Sequence, residues 1–444
     1  MTSLRTSATP AGADQASLVQ PASYGRRAWV VLGMLIFVYI LNFLCRTLPA
    51  VLAKPIEETL HISDGQFGLI SGFYFAIFYT LISIPIGYLA DKTSRSKVLA
   101  VACAIWSAAT VACGLAANFM QFAFSYIAVG FGEAGGVPPS YALISDYFPP
   151  GKRGTALGLY NLGLPFGAAL AIAFGASIAA AFGWQLAFKG LGALGLIAVV
   201  GILTVVKEPR RGGLDPASAQ PLKKSGFLET LVAFFSRRAL VLAAFGGGAT
   251  QMVTYGVGNF AILFLMREKG MTLAEVGLWY ALMVAVVMSA SLFIAGRFVD
   301  LFTHRSKRAY GLVGAVSLTI SLPFYIAFVS AQTWPMALGF LSACMLLNFF
   351  YLPAIITLVQ QEVRPDQRVM SGALLLLVTN FVGLGLGPTM IGAVSDHFHA
   401  AYPHHSLQIA LYALVPCYLL AILLFVWLSR VLGRESRQAK EKPA

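Results

Sequence analysis

The chain has 444 residues, of which 58% are hydrophobic and only 11% are charged. An ordinary soluble domain carries about 25% charged residues, so this chain has too few polar groups to cover a soluble surface. The net charge of +13 is accompanied by neither base-stacking aromatics nor a docking motif, so we expect an integral membrane protein that binds no nucleic acid.

Twelve apolar runs are long enough to cross a bilayer, which takes roughly 20 residues per helix. Backbone groups in lipid must bond to one another, and runs of this length exclude barrel strands of about 10 residues. We therefore predict an all-α bundle between a disordered tail at 1–24 and a tail at 433–444. Spans 1 to 12 are predicted at residues 29–52, 66–90, 97–117, 120–147, 155–182, 185–206, 239–266, 273–300, 309–330, 333–361, 368–395 and 406–432.

The basic residues are distributed unevenly between the two sides of this bundle. With twelve spans both termini lie on one side, and that side collects nearly all of the 31 lysines and arginines. The exceptions are Lys54, Arg267 and Lys269 on the other side, with Arg46 and Lys189 inside spans. The positive-inside rule then predicts a cell (inner or plasma) membrane protein with both termini in the cytoplasm.

The chain repeats itself across a polar linker. Residues Gly87–Lys97, after span 2, resemble Gly296–Lys307, after span 8, and Asp91 and Asp300 are 209 residues apart. This divides the chain into an N-terminal half (25–206), a linker (207–238) and a C-terminal half (239–432). Two related six-helix halves are the layout of transporters that rock about a site at the bilayer midplane.

Two motifs resemble a known family. The pattern G-x-L-x-D-x-x-x-R-x-K of Gly87–Lys97 resembles the signature loop of the major facilitator superfamily. Residues Gly130–Ser140 with Leu143–Gly158 are similar to its Spinster-like branch. The resemblance covers the N-terminal half, whereas the C-terminal half resembles the superfamily only. It implies a twelve-helix major facilitator fold and the transport of lysolipids or sphingosine phosphates.

One position departs from the Spinster-like pattern. Members of that branch usually carry an aspartate before the arginine of span 1, whereas this chain has Cys45 before Arg46. A thiol with a reference pKa near 8.5 does not replace a carboxylate at neutral pH. Proton coupling, if the chain uses it, therefore depends on Glu133.

Two charged residues lie deep inside spans. Arg46 in span 1 and Glu133 in span 4 fall at similar depth, about 25 Å and about 20 Å from the cytoplasmic ends at 1.5 Å per residue. Charges at that depth are costly and usually functional, so we predict that the two pair. Protonation of Glu133 would then release Arg46 for an anionic head group. The alternative is a static ion pair that only joins the helices.

Polar residues at helical spacing predict the wall of a central cavity. They follow one face of spans 1, 4, 7, 10 and 11, and the alternative is that they join helices to each other. We expect substrate contacts from Tyr39, Asn42, Arg46, Tyr126, Glu133, Gln251, Tyr255, Asn259, Asn348, Tyr351 and Asn380. Close helix packing is predicted at Gly68/Gly72, Gly154/Gly158, Gly163/Gly167 and Gly383/Gly387.

Charged residues at the cytoplasmic ends of spans predict a conformational latch. In the superfamily the aspartate corresponding to Asp91 caps the start of span 11 across the two halves, a carboxylate–dipole interaction worth roughly 0.3–2 kcal/mol. The expected latch residues are Asp91, Arg95, Asp146, Arg153, Asp300 and Arg368. Four histidines cluster between spans 11 and 12 (His397, His399, His404 and His405), but with Asp396 alone nearby we expect no metal site.

These observations favour a secondary active transporter without a cofactor. We expect a monomer that moves an amphipathic anionic or zwitterionic substrate by alternating access, coupled to protons through Glu133 and Arg46. The alternatives are a proton-coupled transporter of drugs or small organic anions, and a receptor that binds its ligand without moving it. An enzyme is not expected, because no Ser/His/Asp set or metal cluster lies within the spans.

Overall fold

The structure is a computed structural model that describes residues 25–209, 227–303, 306–364 and 367–441. All regular secondary structure in these ranges is helical, as predicted. The predicted tail at 1–24 and most of the predicted linker lie outside the described residues.

Eleven spans in the described part of the chain are helices long and apolar enough to cross a membrane. They run over Arg26–Val51, Asp64–Ala90, Arg95–Cys113, Lys152–Phe182, Trp184–Val205, Arg238–Arg267, Leu273–Phe298, Ala309–Ser330, Trp334–Glu362, Met370–His399 and Ser406–Gln438. Shorter helices cover Ala53–Leu60 and Phe227–Ser236. The last helix continues to Glu441, so the predicted tail at 433–444 is helical over most of its length.

Span 4 is the twelfth and is broken in the middle. The predicted run 120–147 consists of two helices, Phe119–Glu133 and Val137–Tyr147, separated by a turn at 134–136. The second helix begins with Val-Pro-Pro, and proline has no N–H to continue the hydrogen bonds of the first. A continuous helix was the wrong expectation here, and Glu133 ends the first helix.

The two halves repeat the same local devices. Ser63 and Thr272 each begin a span with a capping box, and they lie 209 residues apart. The break after Glu133 has a counterpart after Asn348, where span 10 divides into Trp334–Asn348 and Tyr351–Glu362. The predicted pseudo-symmetry therefore extends to the interruptions of the helices.

The bundle has two faces, which are named here by their residues. The linker face is the side where span 1 begins at Arg26 and span 6 ends at Val205. The far face is the side where span 1 ends at Val51 and span 7 ends at Arg267.

Glycines allow close packing at most of the predicted pairs. A Cβ at Gly167 would lie 2.7 Å from the carbonyl oxygen of Ile40 on span 1, and one at Gly68 would lie 2.5 Å from the carbonyl oxygen of Pro388 on span 11. The prediction was wrong for Gly154 and Gly158, which face open space. Spans 1 and 5 and spans 2 and 11 therefore touch backbone to backbone.

Replacing Gly167 with alanine tests this packing. Its Cβ would also lie 2.8 Å from the Cβ of Phe43, so we expect overpacking of about 1–3 kcal/mol and a melting temperature lower by several degrees in detergent. The matched control is Gly158→Ala in the same span, where alanine meets nothing and favours the helix. Equal melting temperatures of the two variants would contradict the close approach of spans 1 and 5.

Candidate functional site

A cavity lies between the two halves and is lined by residues of both. Four of the predicted contact residues line it: Arg46, Tyr126, Tyr255 and Asn259. Most of the remaining lining is apolar and was not predicted, including Phe43, Phe75, Tyr280, Met288, Met345 and Phe349. No sequence signal distinguished these residues, because aromatic and methionine residues are common in every apolar span.

Arg46 is held in the cavity by aromatic rings. Its guanidinium carbon lies 5.0 Å from the ring centroids of Phe75 and Tyr79, and 5.7 Å from those of Phe43 and Tyr255. A desolvated cation over a ring gains about 2 kcal/mol. The buried Nη2 atom has no hydrogen-bond partner. The rings therefore stabilise the cation and leave part of the guanidinium available to a ligand.

Glu133 is fully buried and does not line the cavity. Neither of its carboxylate oxygens has a hydrogen-bond partner, and the buried Nδ2 of Asn42 and Nε1 of Trp106 also lack one. Among the described residues, no ion pair joins Glu133 to Arg46, so the predicted direct contact was wrong for this conformation.

The contacts of Arg46 account for this. The Tyr126 hydroxyl donates a hydrogen bond to the carbonyl oxygen of Arg46 at 3.1 Å, so span 4 contacts span 1 here through Tyr126. Glu133 follows seven residues later, or about 10 Å along the helix. The Arg46 guanidinium lies among four aromatic rings and forms no ion pair with Glu133.

The other predicted contact residues are packed away from the cavity. Asn348 donates from Nδ2 to the Thr254 hydroxyl at 2.7 Å and accepts from the Tyr418 hydroxyl at 3.2 Å, so it positions the lining residue Thr254. Tyr39 stacks on Tyr160 with ring centroids 4.4 Å apart. Four more predicted contact residues do not line the cavity: Asn42, Gln251, Tyr351 and Asn380.

Three of the predicted latch residues, Arg95, Asp146 and Arg153, make contacts within the N-terminal half at the linker face. Arg95 forms an ion pair with Asp146. The Nε of Arg153 donates to the carbonyl oxygens of Ser145 at 2.8 Å and Phe148 at 3.0 Å, which joins the end of span 4 to the start of span 5. The structure does not describe the side chains of Asp91, Asp300 and Arg368, so their roles as latch residues stay predictions.

No role was predicted from the sequence for Glu208 of the linker. Its carboxylate accepts hydrogen bonds from the Ser94 hydroxyl and from the backbone N–H groups of Arg95 and Ser96, and so caps the start of span 3. Partial burial raises the pKa of Glu208, but the hydrogen bonds donated by Ser96 and Ser94 outweigh this and lower the pKa. A capping residue more than a hundred positions away leaves no local sequence signal.

A cluster of charged residues that was not predicted from the sequence joins the two halves at the far face. Arg267 of span 7 contacts Glu57 at 2.7 Å and Asp64 at 2.8 Å, and both carboxylates are only 6% exposed. The Ser63 hydroxyl also donates to Asp396 at 2.6 Å. The available signal was that Arg267 is one of few basic residues on this side. These bonds close the far face between the halves.

The far-face cluster changes the acidity of Glu57, which lies outside the spans. Burial and the neighbouring Asp64 carboxylate raise the pKa of Glu57 to about 9, although Arg267 opposes this shift, and Asp396 adds to it. The Oε1 atom of Glu57 is buried without a hydrogen-bond partner. Burial of Glu57 in this conformation therefore favours the protonated form of its carboxyl group.

The four histidines between spans 11 and 12 do not converge. His399 contacts the Ser406 hydroxyl and His405 contacts the Gln408 amide. No group of three or more His, Cys, Asp or Glu residues in the described ranges is placed to hold a metal ion.

Comparison with known proteins agrees with this architecture. A sequence profile described as Major Facilitator Superfamily matches residues 35–388. An MFS-type efflux pump of Mycolicibacterium smegmatis is 29% identical over 404 residues, covering 91% of this chain and 93% of that protein. Protein spinster homolog 1 of Homo sapiens is 25% identical over 403 residues, covering 86% of this chain and 75% of that protein.

Solved structures extend the comparison to the fold. A bacterial homologue of the human lysosomal transporter Spinster, in an inward-facing and unoccupied conformation, has a TM-score of 0.85 at 29% identity. The match covers 93% of this chain and 98% of that one. An inward-facing, occupied structure of a bacterial Spinster homologue gives a TM-score of 0.79 at 28% identity, covering 90% and 96% of the two chains.

Removing Arg267 tests the far-face cluster. In Arg267→Gln the buried carboxyl groups of Glu57 and Asp64 lose the guanidinium that donates hydrogen bonds to them, so we expect amide hydrogen exchange in the helix Ala53–Leu60 to rise at least tenfold. Tenfold corresponds to about 1.4 kcal/mol. The control is Lys269→Gln, which removes a charge two residues away. If exchange is unchanged in Arg267→Gln, or rises equally in the control, the cluster does not hold the halves together.

The pH dependence of stability tests the acidity of Glu57. Because its pKa is raised to about 9, the folded protein holds a proton that the unfolded chain releases above its ordinary value near 4.3. Stability from this group is complete at low pH and is lost as the pH rises toward 9. We expect the melting temperature of the wild type to fall more steeply between pH 6 and 9 than that of Glu57→Gln. The control is Glu58→Gln at the exposed neighbouring residue, and its melting temperature should follow the same pH dependence as the wild type. If the melting temperature of Glu57→Gln also follows the wild type, the raised pKa of Glu57 is refuted.

Proposed function

Because the chain belongs to the Spinster-like branch of the major facilitator superfamily, we propose that it moves an amphipathic substrate across the membrane by alternating access. The substrate is anionic or zwitterionic, of the lysolipid or sphingosine-phosphate class. The protein is a transporter and not an enzyme. It acts as a monomer in the cell membrane with both termini in the cytoplasm, in line with the positions of its basic residues.

The observation that carries this proposal is one cation set in an apolar, aromatic cavity. Arg46 lines the cavity together with Phe43, Phe75, Met288 and Met345. A guanidinium binds phosphate in a bidentate geometry, whereas apolar walls bind an acyl or sphingoid chain. A sugar would need polar groups on every side. The head group therefore lies at Arg46, and the chain lies along the apolar wall.

Glu133 is the proposed proton carrier. An ionised carboxylate that is buried without a partner costs several kcal/mol, and a neutral carboxylic acid costs far less. Glu133 therefore holds a proton while it is buried and releases it when it meets water in another conformation. Its position beside the break at 134–136 links this exchange to movement of span 4. Cys45 stands where the branch usually has a second carboxylate, so Glu133 carries the coupling alone.

Alternating access follows from the two faces of the bundle. Arg267 with Glu57 and Asp64 closes the far face in this conformation. The linker face closes in the other conformation, through Asp91 at the start of span 11 and through Asp300 and Arg368.

A second candidate function is the efflux of drugs or small organic anions. Aromatic rings and flexible thioethers adapt to ligands of different shape, and the relative from Mycolicibacterium smegmatis is an efflux pump by name. The two candidates share the cavity and differ in substrate range.

Transport in proteoliposomes that hold a pH-sensitive dye tests the proposal. We expect lysophosphatidylcholine or sphingosine phosphate to drive proton movement with the wild type. We expect this proton signal to be at least tenfold smaller in Glu133→Gln, because the glutamine side chain has no titratable proton. Arg46→Gln should lose transport of the labelled substrate, because the head group has no cation. The far-face variant Glu58→Gln serves as the control and should behave as the wild type.

Three outcomes would overturn parts of the proposal. Equal substrate flux in the wild type and Glu133→Gln, without a pH signal, would mean facilitated transport without protons. Flux of small organic anions but not of lysolipid would favour the second candidate. Tight binding without flux would make the protein a receptor.

A further inference from the structure

A basic cluster lies at the linker face, away from the transport cavity. Arg308 precedes span 9, and Arg430, Arg434 and Arg437 follow one another at spacings of four and three residues on the last helix. This spacing places the three side chains on one face of that helix. All four arginines, with Gly433, line a single cavity between the start of span 9 and the last helix.

The two spans are packed so that this cluster can form. A Cβ at Gly433 would lie 2.7 Å from the Nε and 2.9 Å from the Cδ of Arg308, so the missing side chain lets Arg308 lie against the last helix. One turn further into the membrane, a Cβ at Gly311 would lie 2.7 Å from the carbonyl oxygen of Phe425. The close approach of the helices therefore brings Arg308 to the other three arginines.

The cluster lacks carboxylate partners in the part of the chain that the structure describes. None of the four arginines takes part in an ion pair there, although the adjacent Lys307 contacts Glu362 at 2.8 Å. The positive-inside rule accounts for basic residues at this face but not for their convergence on one cavity. Four like charges around one cavity repel each other, and an anion among them removes that repulsion.

The surroundings of the cluster distinguish a lipid from a soluble anion. Leu312 and Val316 follow Arg308 at helical spacing and are 47% and 53% exposed. Trp427 and Leu423 precede Arg430 at helical spacing and are 57% and 65% exposed. Exposed apolar side chains directly above a basic cavity provide a surface for acyl chains, and tryptophan is typical of the head-group level.

We propose that Arg308, Arg430, Arg434 and Arg437 bind the phosphate group of an anionic phospholipid in the leaflet at the linker face. The guanidinium groups bind the phosphate, and the acyl chains lie along the exposed apolar surfaces of spans 9 and 12. This lipid is a bound partner and not the transported substrate, because the site is separate from the cavity lined by Arg46. Basic pockets between spans at this membrane level are suited to such head groups.

Lipid binding to the purified full chain in detergent tests the site, with phosphatidylglycerol as the probe and native mass spectrometry as the readout. We expect phosphatidylglycerol to bind at least tenfold more tightly than phosphatidylcholine, and this preference to be lost in the double variant Arg430→Gln/Arg434→Gln. The matched control is Arg26→Gln/Lys97→Gln, which removes two exposed charges from the same face. An equal loss in this control, or no preference in the wild type, would show a general charge effect and overturn the proposal.

A second variant keeps every charge and changes only the geometry. Gly433→Ala displaces Arg308, so we expect weaker phosphatidylglycerol binding, whereas Gly339→Ala, which meets nothing within 4 Å, should bind as the wild type. Unchanged binding in Gly433→Ala would contradict the role of Arg308. Inorganic phosphate at millimolar concentration should not displace the lipid; displacement would assign the site to a free phosphate instead. These measurements require no transport, so they stand apart from the proposed function.

Discussion

The exclusion of water from the bilayer determines this structure more than any other constraint. Every backbone group at that depth must find a partner in the protein, so an interruption of a span is tolerated only beside protein or a cavity. The two breaks, after Glu133 and after Asn348, lie at equivalent places in the two halves. The first break follows Glu133, whose carboxyl group is buried without a partner. The second follows Asn348, which forms hydrogen bonds inside the protein. The breaks and the buried polar residues are therefore one feature of the fold, built twice.

The same constraint makes the two buried charges unequal. Arg46 remains a cation because aromatic rings surround it and part of its guanidinium reaches the cavity. Glu133 has no such compensation, because both oxygens are buried without partners. An arginine stays charged at any accessible pH, whereas a carboxyl group can become neutral. The asymmetry suits the arginine to substrate binding and the glutamate to proton exchange, without a direct contact between them.

Sequence reasoning reached the spans, the repeat and the position of Arg46 in the cavity, because composition and spacing determine these features. It did not reach features that depend on packing. The Arg46–Glu133 ion pair was wrong because the guanidinium packs among aromatic rings, a contact that depth along the helices does not reveal. Glu208 was missed because a linker residue caps a helix far from it along the chain. The turn at 134–136 did have a sequence signal, since paired glycines and paired prolines mark it. The spans were predicted from hydropathy, which does not detect a turn within an apolar run.

Three arginine sites show that surroundings, and not residue type, determine what a buried or interfacial charge does. Arg267 meets two buried carboxylates from the other half, so it joins the halves and its bonds must break when the far face opens. Arg46 meets rings, which stabilise it without neutralising it, and so it can exchange ligands. Arg308 lies at one cavity with three other arginines, an arrangement suited to the anionic head group proposed above. In the proposed cycle the contacts of Arg267 break when the far face opens, whereas the lipid proposed at Arg308 would contact only spans of the C-terminal half and would stay bound throughout.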